Sequence, residues 1–157
     1  MLVALDLPDR QSADAPDEWG ELMNEQLALL LTAAGTGVVL VVAGWVLVRV
    51  ARRAAAGTLK RNQVAGIRTS VTLSSDTAWR AAHVAAERDS VRGARGLIAG
   101  GMMAAASSLL TLVGVPFSIA VTTFTLIALG ATTWLLVWTL RGAAIGQRAA
   151  TQAIPER

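Results

Sequence analysis

The sequence contains no cysteine and only one histidine, His83. Without cysteine the chain forms neither a disulfide framework nor a thiolate metal site. A metal ion normally takes three or four protein ligands, and the acids at helical spacing from His83 are Asp76 and Glu87. We therefore expect no metal, no cofactor and no enzymatic activity. For His83 we expect a ring packed beside Trp79 at a lipid interface.

Charged residues are missing from two long stretches. No ionisable residue occurs between Glu25 and Arg49, or between Arg95 and Arg141. The chain is 54% hydrophobic with a mean hydropathy of +0.51, which is too apolar for an ordinary soluble domain of 157 residues. A helix rises about 1.5 Å per residue and needs about 20 apolar residues to cross hydrocarbon. The first stretch therefore fits one membrane span and the second fits two.

The second stretch must reverse direction within itself. The segment "LVGVPFS" is the best place, because Pro116 lacks an amide proton and Gly114 loosens the chain. The sequence thus predicts an all-α integral membrane protein with three transmembrane helices, at about 27–48, 97–113 and 117–140. The predicted organisation is an acidic segment (1–25), a first transmembrane helix (26–48), a basic loop (49–95), a helical hairpin (96–140) and a tail (141–157).

Charge balance predicts the orientation of these spans. The loop from Arg49 to Arg95 carries ten basic residues against three acids, whereas the first 25 residues carry one arginine against seven acids. Short loops rich in Lys and Arg stay cytoplasmic. We therefore expect the N-terminus outside and the C-terminus inside. The start "MLVALDLPDR" has no basic region, so we expect the first span to be uncleaved.

The isoelectric point near 11.0 has the same topological explanation. The basic excess belongs to the inner face, where it lies beside anionic membrane lipids. No helix-turn-helix pattern, zinc-finger spacing or aromatic stacking set accompanies it. We therefore expect membrane lipids as partners and no direct contact with nucleic acid.

Small residues recur every four positions in the second span. A neighbouring backbone can approach closely along such a stripe. We interpret it as a helix-packing face toward span 1 or span 3, with a homo-oligomer seam as the alternative. The spans contain no ionisable group, which argues against transport of ions or protons. The helix-packing residues are Gly96, Gly100, Ala104 and Ser108.

A specific polar phrase, "GIRTSVTLSSDTAWRAAH", occupies residues 66–83 of the basic loop. Ser74 or Ser75 can cap a helix that begins at Asp76. We expect this helix to be amphipathic, to end near Gly93 and to lie in the cytoplasmic interface. Four-residue spacing also predicts ion pairs between Asp76 and Arg80, and between His83 and Glu87.

This phrase resembles the signature of the bacterial SdpI family of small membrane proteins, approximately GIRTPWTLSSEEVWRKTHR. Asp76 replaces an acid with an acid, Ser70 and Val71 stand where the family often has Pro-Trp, and Val84 stands where a basic residue often follows the histidine. The resemblance takes in roughly residues 60–140. The matching residues are Gly66, Ile67, Arg68, Thr69, Thr72, Leu73, Ser74, Ser75, Trp79, Arg80 and His83.

The resemblance implies an immunity or signalling role in a bacterial plasma membrane. The family's named member protects a cell from a secreted antimicrobial toxin and, when toxin is present, holds a transcriptional repressor at the membrane. By the same resemblance, the cytoplasmic loop is the surface that binds a protein partner. An accessory or assembly subunit of a larger membrane complex is the alternative. The candidate partner-binding residues are Arg68, Thr69, Trp79, Arg80 and His83.

Overall fold

The computed structural model of the chain describes residues 18–154. Three long helices form the fold, each long and apolar enough to cross a membrane, and the described residues contain no strand. The predicted all-α fold with three spanning helices is thereby confirmed. Most of the acidic segment lies outside the described residues. The helices are α1 (Glu18–Ala55), α2 (Asp76–Ser107) and α3 (Phe117–Gln152), and a 3-10 helix (Ser108–Val113) prolongs α2.

The chain reverses between α2 and α3 where the sequence predicts it. Gly114 closes the 3-10 helix in the left-handed conformation, with φ of 83°, and its N–H donates to the carbonyl of Thr111. Only glycine adopts this conformation without steric cost. Pro116 then precedes the first residue of α3, where its missing N–H costs nothing.

The prediction of a separate amphipathic helix ending near Gly93 is wrong, because α2 continues without a break to Ser107. Gly93 is not a helix terminus but a buried contact with α3. A Cβ on Gly93 would lie 3.0 Å from Cβ of Trp138. This close approach gives the glycine a packing role inside the helix. The charged half of α2 therefore leads directly into its uncharged half.

Helix α2 lies at the centre of the fold and contacts both α1 and α3, which contact each other far less. On the side facing α1, a Cβ on Gly101 would lie 2.8 Å from the backbone oxygen of Gly37. A Cβ on Gly37 would lie 2.6 Å from Cβ of Ala105. The two backbones thus approach closely because neither glycine has a side chain.

Part of the predicted helix-packing face of α2 is directed toward α3 and not toward α1. A Cβ on Gly96 would overlap the ring of Trp134, and one on Gly100 would overlap Cβ of Ala131, both on α3. Ala104 is fully buried, and Ser108 is 3% exposed with its hydroxyl bonded to the carbonyl of Ala105. The structure therefore places Gly96 and Gly100 in an intramolecular contact with α3.

We expect Gly101→Ala to destabilise the fold by roughly 1–3 kcal/mol, because the new methyl group meets backbone atoms of α1 that cannot move aside. Thermal unfolding in mild detergent measures this change. Gly130→Ala is the matched control, since a Cβ at Gly130 meets nothing within 4 Å. Equal melting temperatures for the two variants would contradict the close contact between α1 and α2.

The predicted orientation can be tested by cysteine labelling, because the parent chain has no cysteine. We expect a membrane-impermeant thiol reagent to label Ser12→Cys in intact cells and to leave Ser70→Cys unlabelled until the cells are opened. Ser70 is exposed on the loop between α1 and α2, so a lack of labelling there reports sidedness and not burial. Labelling of Ser70→Cys alone in intact cells would invert the orientation.

Candidate functional site: the loop between α1 and α2

Residues 56–75 form the loop that connects α1 to α2, and its first residues terminate α1. Gly57 has φ of 74°, and the N–H groups of Thr58 and Leu59 both donate to the carbonyl of Arg53 at 3.0 Å. This arrangement satisfies carbonyl groups at the end of the helix. Gly57 therefore lies just beyond the end of α1.

Arg61 spans the loop and ties its two ends together. Its Nη1 donates to the carbonyl of Leu73 at 2.8 Å, and its Nε lies 3.3 Å from Oδ1 of Asp76. The predicted ion pair between Asp76 and Arg80 is therefore wrong, because Asp76 pairs with Arg61. Ser75 caps α2, and its hydroxyl accepts from the N–H of Ala78.

His83 holds the middle of the loop against α2. The N–H of Ile67 donates to Nε2 of His83 at 2.9 Å, and Nδ1 lies 2.7 Å from the carbonyl of Trp79. The ring is therefore neutral, with its proton on Nδ1. The predicted pair with Glu87 is wrong, because both ring nitrogens are already engaged. Gly66, with φ of 104°, permits this approach, since a Cβ there would overlap Nε2.

Burial lowers the pKa of His83 below its ordinary value of 6.5, and the hydrogen bond to the Trp79 carbonyl opposes this shift more weakly. His83 precedes the charge-free part of α2, which starts after Arg95, so it lies outside the hydrophobic part of the helix. A neutral ring is the form that can accept the Ile67 N–H. The direction of the pKa shift thus agrees with the hydrogen bonding.

Trp79 fixes the start of the loop one helical turn before His83. Its Nε1 donates to the carbonyl of Leu59 at 3.1 Å, and its side chain is 3% exposed. The Trp79 and His83 rings lie 4.2 Å apart at 40°. Two neighbouring side chains of α2 therefore hold two separate points of the loop.

Two threonines fold the second half of the loop. Thr72 is fully buried, donates from its hydroxyl to the carbonyl of Ile67 at 2.8 Å and accepts the N–H of Thr69 at 2.9 Å. The hydroxyl of Thr69 donates to Oε1 of Gln147, which fastens the loop to α3. Sequence reasoning matched Thr72 to the family phrase but did not select it as a site residue. No local signal in the sequence indicates Gln147.

Only two of the five candidate partner-binding residues point outward. Arg68 is exposed and donates from Nη1 to the carbonyl of Gln63 at 2.7 Å. Arg80 is also exposed, with its guanidinium beside Gly57. The other three, Thr69, Trp79 and His83, make contacts inside the protein.

A groove of about 450 Å³ runs beside Arg80 on the surface of the protein. Lys60, Arg61 and Arg80 supply its positive charges, and Asp76 supplies its negative charge. Because Arg61 already pairs with Asp76, the remaining charge of the groove is positive. The groove therefore suits a negatively charged group on a partner.

Sequence reasoning also missed a buried acid, Asp89, which it counted only among the acids of the basic loop. Asp89 is 6% exposed, and its Oδ2 lies 3.2 Å from Nε of Arg141 on α3. A Cβ on Gly142 would lie 3.5 Å from Cβ of Asp89. The small residue on α3 thus makes room for the acid, and the ion pair joins α2 to α3.

The family model for the SdpI/YfhL protein family matches residues 58–142. The chain belongs to the SdpI/YfhL family. The match begins in the loop, takes in all of α2 and ends within α3, so it contains the hydrogen-bonded loop and its anchors on α2. No curated protein and no solved structure matches the chain. Family membership and the three apolar helices together identify a multi-pass SdpI/YfhL membrane protein.

We expect the stability of the protein to fall as the pH drops below 6.5 toward the lowered folded pKa of His83. In this window the unfolded chain binds a proton that the folded chain excludes. A protonated Nε2 also cannot accept the Ile67 N–H. Thermal unfolding in detergent at pH 7.5 and pH 5.5, each about one unit from the ordinary histidine pKa of 6.5, measures this loss.

His83→Gln is the control for this pH dependence, because glutamine does not titrate and His83 is the only histidine in the chain. The variant should lose most of the difference between the two pH values. An unchanged pH dependence in His83→Gln would show that another group controls the stability.

Proposed function

We propose that this SdpI/YfhL protein has an immunity or signalling role, in which the loop between α1 and α2 binds a protein partner on the cytoplasmic side of a bacterial plasma membrane. Its action is binding and not catalysis. The engagement of both nitrogens of His83 supports this choice, because the ring has no lone pair left for proton transfer or a metal.

One observation carries the proposal: the inward side chains hold the loop rigidly, while Arg68 and Arg80 remain exposed. A loop that only connects two spans needs no such set of internal hydrogen bonds. A rigid loop presents its exposed groups in a fixed geometry, which lowers the entropy cost of binding. These contacts support a recognition role for the loop.

The positive groove beside Arg80 indicates the chemistry of the partner. A guanidinium group binds a carboxylate through two parallel hydrogen bonds, which an ammonium group cannot reproduce. We propose that the partner presents an acidic segment to Arg80 in the groove and to Arg68, the other exposed arginine among the candidate residues. An accessory role in a larger membrane complex is the alternative outcome of the test below.

We expect Arg68→Lys and Arg80→Lys to insert and accumulate normally but to lose the partner. Each change keeps the positive charge and removes bidentate contacts. A hydrogen bond to a charged group contributes about 1.5–3 kcal/mol, so binding should weaken at least about tenfold. Co-purification from native membranes in mild detergent measures the recovery of the partner.

Arg53→Lys is the matched control, because Arg53 is exposed on the last turn of α1 and lies outside both the loop 56–75 and the groove. It should recover the partner as the parent does. Full recovery by all three variants would leave the loop as a simple basic connector. A large complex that survives every loop substitution would support the accessory role instead.

A further inference from the structure

We infer that a second basic surface, on α2 between Val84 and Ala99, binds the phosphate of an anionic phospholipid. This surface is a groove of about 710 Å³, and no residue of the loop 56–75 contributes to it. Arg52 of α1 and Trp134 of α3 line its two sides. The positive charges of the groove come from Arg52, Arg88, Arg92 and Arg95.

The charges of this groove are not neutralised within the described part of the chain. The ion pairs of residues 18–154 involve Arg61 and Arg141, neither of which lines the groove. Glu87 is the one acid that lines it, against four arginines. The groove therefore carries a net positive charge that an anion can balance.

One of these arginines is held in position by aromatic contacts. The guanidinium carbon of Arg92 lies 4.5 Å from the centre of the Trp138 ring, and the carbonyl of Arg92 accepts Nε1 of Trp134 at 3.3 Å. Stacking on tryptophan leaves the edge of the guanidinium group available for hydrogen bonds. The groove thus contains an oriented donor beside the indole ring that lines its wall.

The position of the groove along α2 favours a lipid over a nucleic acid or an acidic peptide. Arg95 is the last charged residue before the charge-free half of α2, so the arginines lie at the edge of the hydrocarbon, where lipid phosphates lie. The same helix face continues through Ala99 to Met102 and Met103, which are 57% and 58% exposed. A phosphate can therefore bind the arginines while its acyl chains follow this apolar face.

The test uses the full-length protein in mild detergent with equimolar phosphatidylglycerol and phosphatidylcholine of identical acyl chains. Native mass spectrometry counts the bound lipids. We expect the parent chain to retain phosphatidylglycerol preferentially. Each arginine near an anionic lipid contributes a several-fold preference for that lipid. The double variant Arg88→Gln/Arg95→Gln should therefore reduce the preference for phosphatidylglycerol over phosphatidylcholine at least about fivefold.

Arg53→Gln with Arg148→Gln is the matched control, since it removes the same charge from exposed arginines outside the groove. It should keep the preference of the parent. Equal losses in the two double variants would overturn the inference in favour of general surface charge. Displacement of the lipid by millimolar inorganic phosphate would overturn it in favour of a site for a soluble anion.

A measurement on the parent chain keeps the inference testable if the groove variant fails to fold. Photoactivatable phosphatidylglycerol, with its reactive group beside the phosphate, should crosslink to residues 84–99 of α2. Crosslinks confined to other segments would overturn the inference. Neither measurement depends on the protein partner of the loop, so the two proposals can fail separately.

Discussion

The hydrogen bond from the Ile67 N–H to Nε2 of His83 determines where the loop lies on the protein. A neutral imidazole donates from one nitrogen and accepts at the other, so His83 bonds its own helix and the loop together. A lysine cannot accept, and an ionised carboxylate cannot donate. Gly66 completes the arrangement, because any side chain at this position would occupy the space of the ring.

The position of the loop depends in turn on how the three helices pack against one another. Lipid tails are as apolar as the side chains of the spans, so burial of apolar surface adds little between helices in a membrane. The helices are therefore held together mainly by close backbone contact and by polar interactions. Gly101 brings α1 against α2, whereas the Asp89–Arg141 pair and the Thr69–Gln147 hydrogen bond join α3 to α2 and to the loop. The site therefore depends on both faces of α2.

Features set by local chemistry could be predicted from the sequence, and features set by distant contacts could not. The three spans follow from missing charge, and the turn at Gly114 and Pro116 follows from backbone preferences of those two residues. At Gly93, by contrast, α2 continues and the glycine packs against Trp138 of α3. A contact between residues 45 positions apart is not visible in the local sequence around Gly93.

The same distinction applies to the candidate site. The family phrase identifies the segment, but the direction of each side chain depends on the fold of the loop. Asp76 has Arg80 at helical spacing, yet it pairs with Arg61, which the loop brings back to the start of α2. His83 likewise bonds a backbone N–H sixteen residues earlier instead of Glu87. Contacts with residues distant in the sequence therefore take the place of both ion pairs that four-residue helical spacing predicts.

The basic residues do more than set the predicted orientation, because that orientation requires only their positive charge. Lysine and arginine serve equally as positive residues of a cytoplasmic loop, yet Lys60 is the one lysine of the chain. The structure uses properties that lysine lacks. Arg61 bonds a carbonyl and a carboxylate through different nitrogens, and Arg92 stacks on Trp138. A planar, multiply donating cation thus serves the fold as well as the predicted orientation, and it leaves two separate positive surfaces, one on the loop and one on α2.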